Sequence, residues 1–156
     1  MPCYRPLVGY RSVKIGPTGK RPVVFKARDA FFDHQVKVRC GQCIGCRLEK
    51  ARQWALRCSH EASLHENNCF VTLTYSDKNL PKYNSLELRD FQKFMKRLRK
   101  HFDGGIRFFH CGEYGDKNGR PHYHAILFGI DFDDREIYKV SDAGYRWYTS
   151  KTLESI

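Results

Sequence analysis

The chain has 156 residues, with 28 Lys+Arg against 17 Asp+Glu and a formal net charge of +11. A chain of this length can bury one hydrophobic core, and its positive charge favours an anionic partner, most commonly nucleic acid. No apolar run approaches the length of a membrane span, and the first residues lack the apolar segment of a secretory signal. We therefore expect a cytoplasmic protein without a membrane partner.

Residues 1–46 are predicted to form a basic, β-rich arm. Glycine and proline interrupt this stretch repeatedly, while residues 13–15 and 23–25 have the composition of short strands. Cations in such an arm either contact nucleic-acid phosphates or form an ordinary solvated surface. The cations concerned are Lys14, Lys20, Arg21, Lys26 and Arg28.

Seven cysteines, an odd number, indicate free thiols or metal ligands in a cytoplasmic chain rather than a disulfide framework. Cys40, Cys43 and Cys46 have the spacing of a zinc knuckle, with glycines beside them for tight turns. Cys3 is the expected fourth ligand of a structural Zn²⁺ site. An iron–sulfur cluster is the competing interpretation, but position 50 is lysine where the ferredoxin pattern has cysteine. The alternative fourth ligands are Cys58, Cys69, His60 and His65.

Two helices and a strand are predicted between residues 45 and 102. Small side chains recur at helical spacing over residues 45–67, and residues 69–75 are rich in β-branched and aromatic side chains. Asn84 is the predicted N-cap of the second helix, whose apolar side begins at Leu88. The opposite side of this helix is cationic, and its candidate DNA contacts are Lys96, Arg97 and Lys100.

A β-hairpin is predicted around the Asn-Gly turn at 118–119, between aromatic-rich runs at 108–114 and 122–128. Because side chains alternate along a strand, His122 and His124 share one face, and Glu113 can lie across the ladder from them. Two imidazoles and a carboxylate form a facial site for a divalent cation. The alternative is an exposed histidine pair that binds nothing.

The predicted order is helix, strand, helix, strand, strand. This order favours an α+β fold of ferredoxin-like type, with an antiparallel sheet, helices on one face and the metal site on the other. Residues 47–156 are expected to form this domain, and residues 1–46 a cysteine-rich arm beside it.

Several motifs then resemble one family. Residues 112–115 (GEYG), the basic turn and residues 120–128 (RPHYHAILF) resemble motif 2 of the HUH endonucleases, which initiate rolling-circle replication. Residues 70–75 (FVTLTY) resemble their motif 1 strand. Residues 1–4 (MPCY) and 40–49 (CGQCIGCRLE) are similar to the replication initiators of gokushovirus-type single-stranded-DNA phages.

The resemblance implies metal-dependent nicking of single-stranded viral origin DNA through a 5′-phosphotyrosine. Glu113, His122 and His124 would hold Mg²⁺ or Mn²⁺, although imidazole also accepts zinc. Lys117 and Arg120, in the basic turn, would contact DNA. The free 3′-hydroxyl would prime synthesis by the host replication machinery in the bacterial cytoplasm.

The chain departs from the family at the nucleophile, a tyrosine on a helix after the histidine strand, usually with lysine four residues later. Tyr145 is followed at that distance by Thr149, and Tyr148 by Thr152. We therefore expect the chain to stop before the nucleophile, and Tyr148 is the candidate within it. Two other functions fit the same residues: a non-catalytic, zinc-stabilised single-stranded-DNA-binding protein, and a phage structural or packaging protein.

Overall fold

The computed structural model describes residues 3–116 and 118–156. It confirms the α+β class, with three α-helices and small antiparallel sheets, whereas the ferredoxin-like arrangement stays a prediction. The chain divides into two compact units, residues 1–57 and 58–156, and the predicted domain boundary after residue 46 also stays a prediction. The elements are β1 (Leu7–Ser12), β2 (Val23–Val24), β3 (Ala30–Val38), α1 (Ile44–Ala62), β4 (Asn68–Thr74), α2 (Leu88–His101), β5 (Arg107–Tyr114), β6 (Pro121–Phe128), β7 (Arg135–Val140), β8 (Arg146–Ser150) and α3 (Lys151–Ser155).

The first unit contains an antiparallel sheet in the order β2-β1-β3. The pairing of β1 with β3 shifts register between Tyr10 and Arg11, which marks a β-bulge in this ladder. Among the described residues of this unit, the buried apolar side chains are only Ala30 and Cys46. The unit therefore has almost no hydrophobic core.

The second unit is built on an antiparallel sheet in the order β4-β6-β5, as the predicted hairpin requires. Gly119 in the hairpin turn has φ 57°, a left-handed conformation that glycine adopts without strain. One face of the sheet packs against the apolar side of α2. The buried core residues on these elements are Val71, Phe91, Phe94, Met95, Leu98, Tyr123, Ala125 and Leu127.

Helix α2 begins later than the sequence predicts. Asn84 was expected to cap it, and this prediction is wrong because Asn84 has φ 52° in a 3₁₀ turn at Lys82–Asn84. The residue at the N-cap position is Glu87, whose side chain makes no capping hydrogen bond. The left-handed residues turn the chain before the helix starts, so the helix begins only at Leu88.

The last described segment adds elements that the sequence pattern did not predict. Strands β7 and β8 form a two-stranded antiparallel sheet, and the short helix α3 follows directly. Ser150 caps α3, because its hydroxyl accepts a hydrogen bond from the Leu153 amide at 3.1 Å. Within residues 3–116 and 118–156, no helix combines the length and apolar character needed to cross a membrane.

His110 turns toward α2 instead of solvent. Its ring stacks on Phe91 with centroids 4.0 Å apart and planes 6° apart, and burial lowers the pKa of His110. In the unfolded chain this histidine takes up its proton near pH 6.5, whereas in the folded chain it does so only at lower pH. Acid therefore favours the unfolded state, beginning as the pH falls through about 6.5 and levelling off below the folded pKa.

We expect His110→Phe to reduce this loss of stability in acid. Because one proton is involved, the slope of the unfolding free energy against pH falls by at most about 1.4 kcal/mol per pH unit. Urea unfolding at pH 7.5, 6.5 and 5.5 measures the slope. His60→Phe, which replaces an exposed histidine of α1, serves as the control and should leave the slope unchanged. If His110→Phe and the unsubstituted chain have the same slope, protonation of His110 does not cause the loss of stability in acid.

Candidate metal centre

Alternation along β6 separates its side chains between the two faces of the sheet. The odd-numbered residues from 121 to 127 are buried, while His122 and His124 are half-buried on the opposite face. In the ladder with β5, Glu113 pairs with His122 and Cys111 with His124. In the ladder with β4, His124 pairs with Thr72. The sheet register thus brings the predicted carboxylate and both imidazoles together on one face.

The three side chains converge on one point. Oε2 of Glu113 lies 3.4 Å from Nε2 of His124 and 3.8 Å from Nε2 of His122. One ligand atom from each of the three residues lies within 4.8 Å of the others. Adjacent ligands of an octahedral cation with bonds near 2.1 Å are about 3 Å apart, so small side-chain rotations would close this group around an ion.

Hydrogen bonds at the other ring nitrogens orient both histidines. Nδ1 of His122 lies 3.2 Å from the carbonyl oxygen of Arg120, and since a carbonyl only accepts, Nδ1 must donate. Nδ1 of His124 lies 3.0 Å from the hydroxyl of Thr72. A neutral imidazole that donates from Nδ1 presents an unprotonated Nε2, which is the form that binds metal.

Thr72 and the Arg120 carbonyl are site groups that the sequence reasoning missed. Thr72 lies on β4, on the exposed side of the alternation along that strand. That alternation was the available signal, but only the β4–β6 register identifies which histidine Thr72 contacts.

An exposed aromatic ring lies beside the candidate metal ligands. Phe70 is 65% exposed, and its ring stacks on that of His124 with centroids 5.3 Å apart and planes 22° apart. Phe70 pairs with Ile126 in the ladder, two residues along each strand from the pair of Thr72 and His124 and therefore on the same face. The face with the ligands therefore also offers apolar surface next to them.

The residues predicted to contact DNA do not form one cluster. The guanidinium of Arg120 pairs with Asp77 at 2.7 Å and also donates to the Tyr75 carbonyl, while Lys117 lies outside the described residues. The cations of α2 lie on the helix that covers the sheet face opposite to the histidines. A DNA strand that contacts both the histidines and these cations would therefore pass around the edge of the sheet. These exposed cations are Lys96, Arg97 and Lys100.

The four predicted zinc ligands also come together. Sγ of Cys3 lies 3.6 Å from Sγ of Cys40 and 3.9 Å from Sγ of Cys43, and Cys46 completes the group. A disulfide needs about 2.05 Å between sulfurs, whereas tetrahedral zinc with bonds near 2.3 Å separates them by about 3.8 Å. The amides of Cys40 and Cys43 donate to the sulfurs of Cys3 and Cys40, each at 3.4 Å. The cluster could therefore hold a metal such as zinc.

The alternative fourth ligands have other surroundings. His65 pairs with Glu61 at 3.1 Å and stacks on Phe128. Burial raises the pKa of Cys69, a β4 residue, to about 11, which keeps it as a thiol. Cys58 and His60 lie on α1, and the four-cysteine group includes neither.

Tyr148 lies on strand β8, whereas the resemblance described above implies a nucleophile on a helix. It pairs with Ile137 across the β7–β8 ladder and is about half exposed, with the Arg135 guanidinium 5.9 Å from its ring centroid. Its candidacy as the nucleophile stays a prediction.

The comparisons with known proteins concern the same region as this site. The family model described as "Replication-associated protein ORF2/G2P" matches residues 68–155, more than half of the chain, including the three candidate metal ligands Glu113, His122 and His124. The chain belongs to this family. The predicted resemblance to the replication initiators of small phages is confirmed at this level.

Individual relatives of the chain are also named replication-associated proteins, in agreement with the family model. The chain is 42% identical over 126 residues to replication-associated protein ORF2 of Spiroplasma virus 4, covering 74% of the chain and 39% of that protein. It is 38% identical over 125 residues to replication-associated protein VP4 of Bdellovibrio phage phiMH2K, covering 75% of the chain and 39% of that protein. With replication-associated protein ORF4 of Chlamydia phage 1 it shares 38% identity over 105 residues, 62% of the chain and 26% of that protein. The aligned part thus spans about two fifths or less of each relative, and no solved structure matches the chain significantly.

Proposed function

We propose that this chain provides the metal centre of a DNA endonuclease, which initiates rolling-circle replication by nicking single-stranded viral origin DNA. The observation that carries the proposal is the convergence of Nε2 of His122 and Nε2 of His124 on the Glu113 carboxylate. Each ring already has its Nδ1 hydrogen-bonded, as expected of metal-ligating histidines. Membership of a replication-associated family supports the role in replication.

The ligand set suits Mg²⁺ or Mn²⁺. Glu113, His122 and His124 would hold the cation, which would supply Lewis-acid polarisation of a non-bridging oxygen of the scissile phosphate. Three protein ligands would leave coordination positions open for phosphate oxygens and water. Phe70, exposed beside His124, gives an unpaired base a ring on which to stack, which favours a single-stranded substrate.

Cleavage would use a tyrosine hydroxyl as nucleophile. The new bond joins the tyrosine oxygen to phosphorus, and the bond from phosphorus to the 3′-oxygen breaks. The tyrosine hydroxyl loses its proton, the 3′-oxygen gains one, and the 5′-phosphate stays on the protein. The free 3′-hydroxyl would then prime synthesis by the host replication machinery in the bacterial cytoplasm, and the covalent link conserves the bond energy for rejoining.

We also propose that Cys3, Cys40, Cys43 and Cys46 hold a structural Zn²⁺. Four thiolates fill the tetrahedral coordination of zinc and leave no open position for catalysis. The sulfur separations of 3.6 and 3.9 Å and the amide donors to two of the sulfurs support this assignment.

A covalent-adduct assay tests the endonuclease. The protein is incubated with Mn²⁺ and labelled single-stranded oligonucleotides that tile the genome carrying its gene, and a denaturing gel reveals any protein–DNA adduct. The protein is produced together with any residues that its gene encodes after residue 156. An adduct that needs Mn²⁺ supports the proposal, and its loss on Tyr148→Phe identifies the nucleophile. DNA binding without any adduct would favour the non-catalytic DNA-binding protein instead.

Thr72→Val should weaken Mn²⁺ binding about tenfold without unfolding the chain. The substitution keeps the shape of the side chain but removes the hydroxyl that orients His124, and outer partners of metal ligands typically contribute 10- to 100-fold to affinity. Isothermal titration with Mn²⁺ measures the effect. Thr74→Val, on the same strand and face, is the control. Equal Mn²⁺ affinities for the Thr72→Val and Thr74→Val variants would show that the Thr72 hydroxyl does not orient His124 for metal binding.

A further inference from the structure

The positive charge of the chain is concentrated in the unit that lacks the metal centre. Residues 1–57 contain 13 Lys+Arg and three Asp+Glu, a formal charge of +10, whereas residues 58–156 contain 15 and 14, a formal charge of +1. The unit with Glu113, His122 and His124 is therefore nearly neutral. Its charge alone cannot provide the long-range attraction for a polyanion that the whole chain has.

Part of this charge lines an open cleft on the first unit. The lining residues are Arg11, Lys20, Arg21 and His34, with no carboxylate among them. The ion pairs described in this unit, Arg28–Asp29 and Arg52–Glu49, involve none of the four. Cations that converge without a counter-charge repel one another, and an anion in the cleft would relieve that repulsion.

Two of the cations are held in position. Arg11 donates to the Arg21 carbonyl at 3.1 Å, and Arg21 donates to the carbonyls of Ser12 and Val13. The Arg21 guanidinium also lies 4.8 Å from the centroid of the Phe31 ring. Because these contacts fix the guanidinium groups before any ligand arrives, binding an anion would cost little side-chain entropy.

Exposed aromatic rings accompany the cleft residues on β3. Phe32 is 64% exposed and meets Tyr10 edge to face, while Phe31 is 38% exposed and its ring lies 5.9 Å from that of His34. Cations that follow a phosphate backbone, next to rings on which bases can stack, are typical of single-strand binding. A duplex hides its base faces and would gain nothing from these rings.

We propose that the cleft of Arg11, Lys20, Arg21 and His34 binds the phosphates of single-stranded DNA, as a second DNA site apart from the metal centre. The proposal rests on the proposed function only in its choice of single-stranded DNA as ligand. Its role is affinity and not chemistry, since no metal ligand or nucleophile belongs to it.

Charge reversal at Lys20 tests the cleft. Lys20 is exposed, so Lys20→Glu can be made without disturbing the backbone hydrogen bonds of Arg11 and Arg21. Fluorescence anisotropy with a labelled oligothymidylate of 20 nucleotides, without added magnesium, should show that Lys20→Glu binds about tenfold more weakly at low salt than the unsubstituted chain. The slope of log affinity against log salt should also fall by about 0.7 to 1, since one phosphate contact is lost.

The matched control is Lys26→Glu, an exposed lysine of the same unit that does not line the cleft. It should weaken binding less than threefold. Equal losses of DNA affinity in Lys20→Glu and Lys26→Glu would overturn the proposed binding site in the cleft, because affinity would then follow net charge alone. Stronger binding of a 20-base-pair duplex than of the single strand would overturn the single-strand assignment.

The same variants separate this proposal from the endonuclease. With Lys20→Glu, Mn²⁺-dependent adduct formation should need about tenfold more DNA for half-saturation but reach the same rate at saturation. If the protein forms no adduct at all, the endonuclease fails while the anisotropy result still decides the cleft. A lower saturating rate with unchanged half-saturation would contradict a site that serves affinity only.

Discussion

Replacing His124 with alanine weakens Mn²⁺ binding at least about 100-fold and removes metal-dependent adduct formation. The substitution deletes one of three converging ligands, and even outer partners of such ligands contribute 10- to 100-fold. It also leaves the Glu113 carboxylate with a single imidazole neighbour. The free Mn²⁺ signal in electron paramagnetic resonance measures affinity directly, and this readout does not depend on which residue is the nucleophile.

Two variants make the His124 result specific. Glu113→Gln keeps the size of the side chain but removes its charge, and it should weaken Mn²⁺ binding by a similar factor. His60→Ala removes an exposed histidine of α1 and should leave affinity unchanged. Unaltered Mn²⁺ affinity in His124→Ala would show that the histidine face does not bind the ion, and the endonuclease proposal would lose its main support.

Replacing Cys43 with serine removes one zinc ion per chain and unfolds residues 1–57. This unit has almost no core, because Ala30 and Cys46 are the apolar side chains buried in its described part. A structural zinc site contributes on the order of 10 kcal/mol, comparable to the whole stability of a small domain. Zinc content by atomic emission and limited proteolysis, with cleavage sites mapped by mass spectrometry, measure the two effects.

Cys58→Ser is the matched control for the zinc prediction. Cys58 is half-buried and lies on α1 outside the four-cysteine group, so its variant should keep the zinc content and proteolytic resistance of the unsubstituted chain. A zinc ion bound at the histidine face is recognised because His124→Ala removes it while Cys43→Ser does not. An unchanged zinc content and an intact first unit in Cys43→Ser would refute the tetrathiolate site.

Features that depend on backbone periodicity were predictable from the sequence. The two-residue period of β6 puts His122 and His124 on one face, and the helical spacing of α2 gives its apolar side. The Asn-Gly pair predicted the hairpin turn, and the close spacing of Cys40, Cys43 and Cys46 predicted a thiolate cluster. In each case, the interacting residues are neighbours in the chain, so local geometry alone brings them together.

Contacts between distant residues were decided only by the tertiary structure. Thr72 reaches His124 across 52 positions because β4 and β6 pair in one register, and a shift of one residue would turn Thr72 to the other face. Cys3 was one of five candidate ligands until the fold brought it beside Cys40, 37 positions away. His110 likewise faces the core because β5 packs it against Phe91 of α2. Sequence periodicity determines which face of its own element a side chain occupies, whereas its neighbour across the sheet depends on how the whole chain folds.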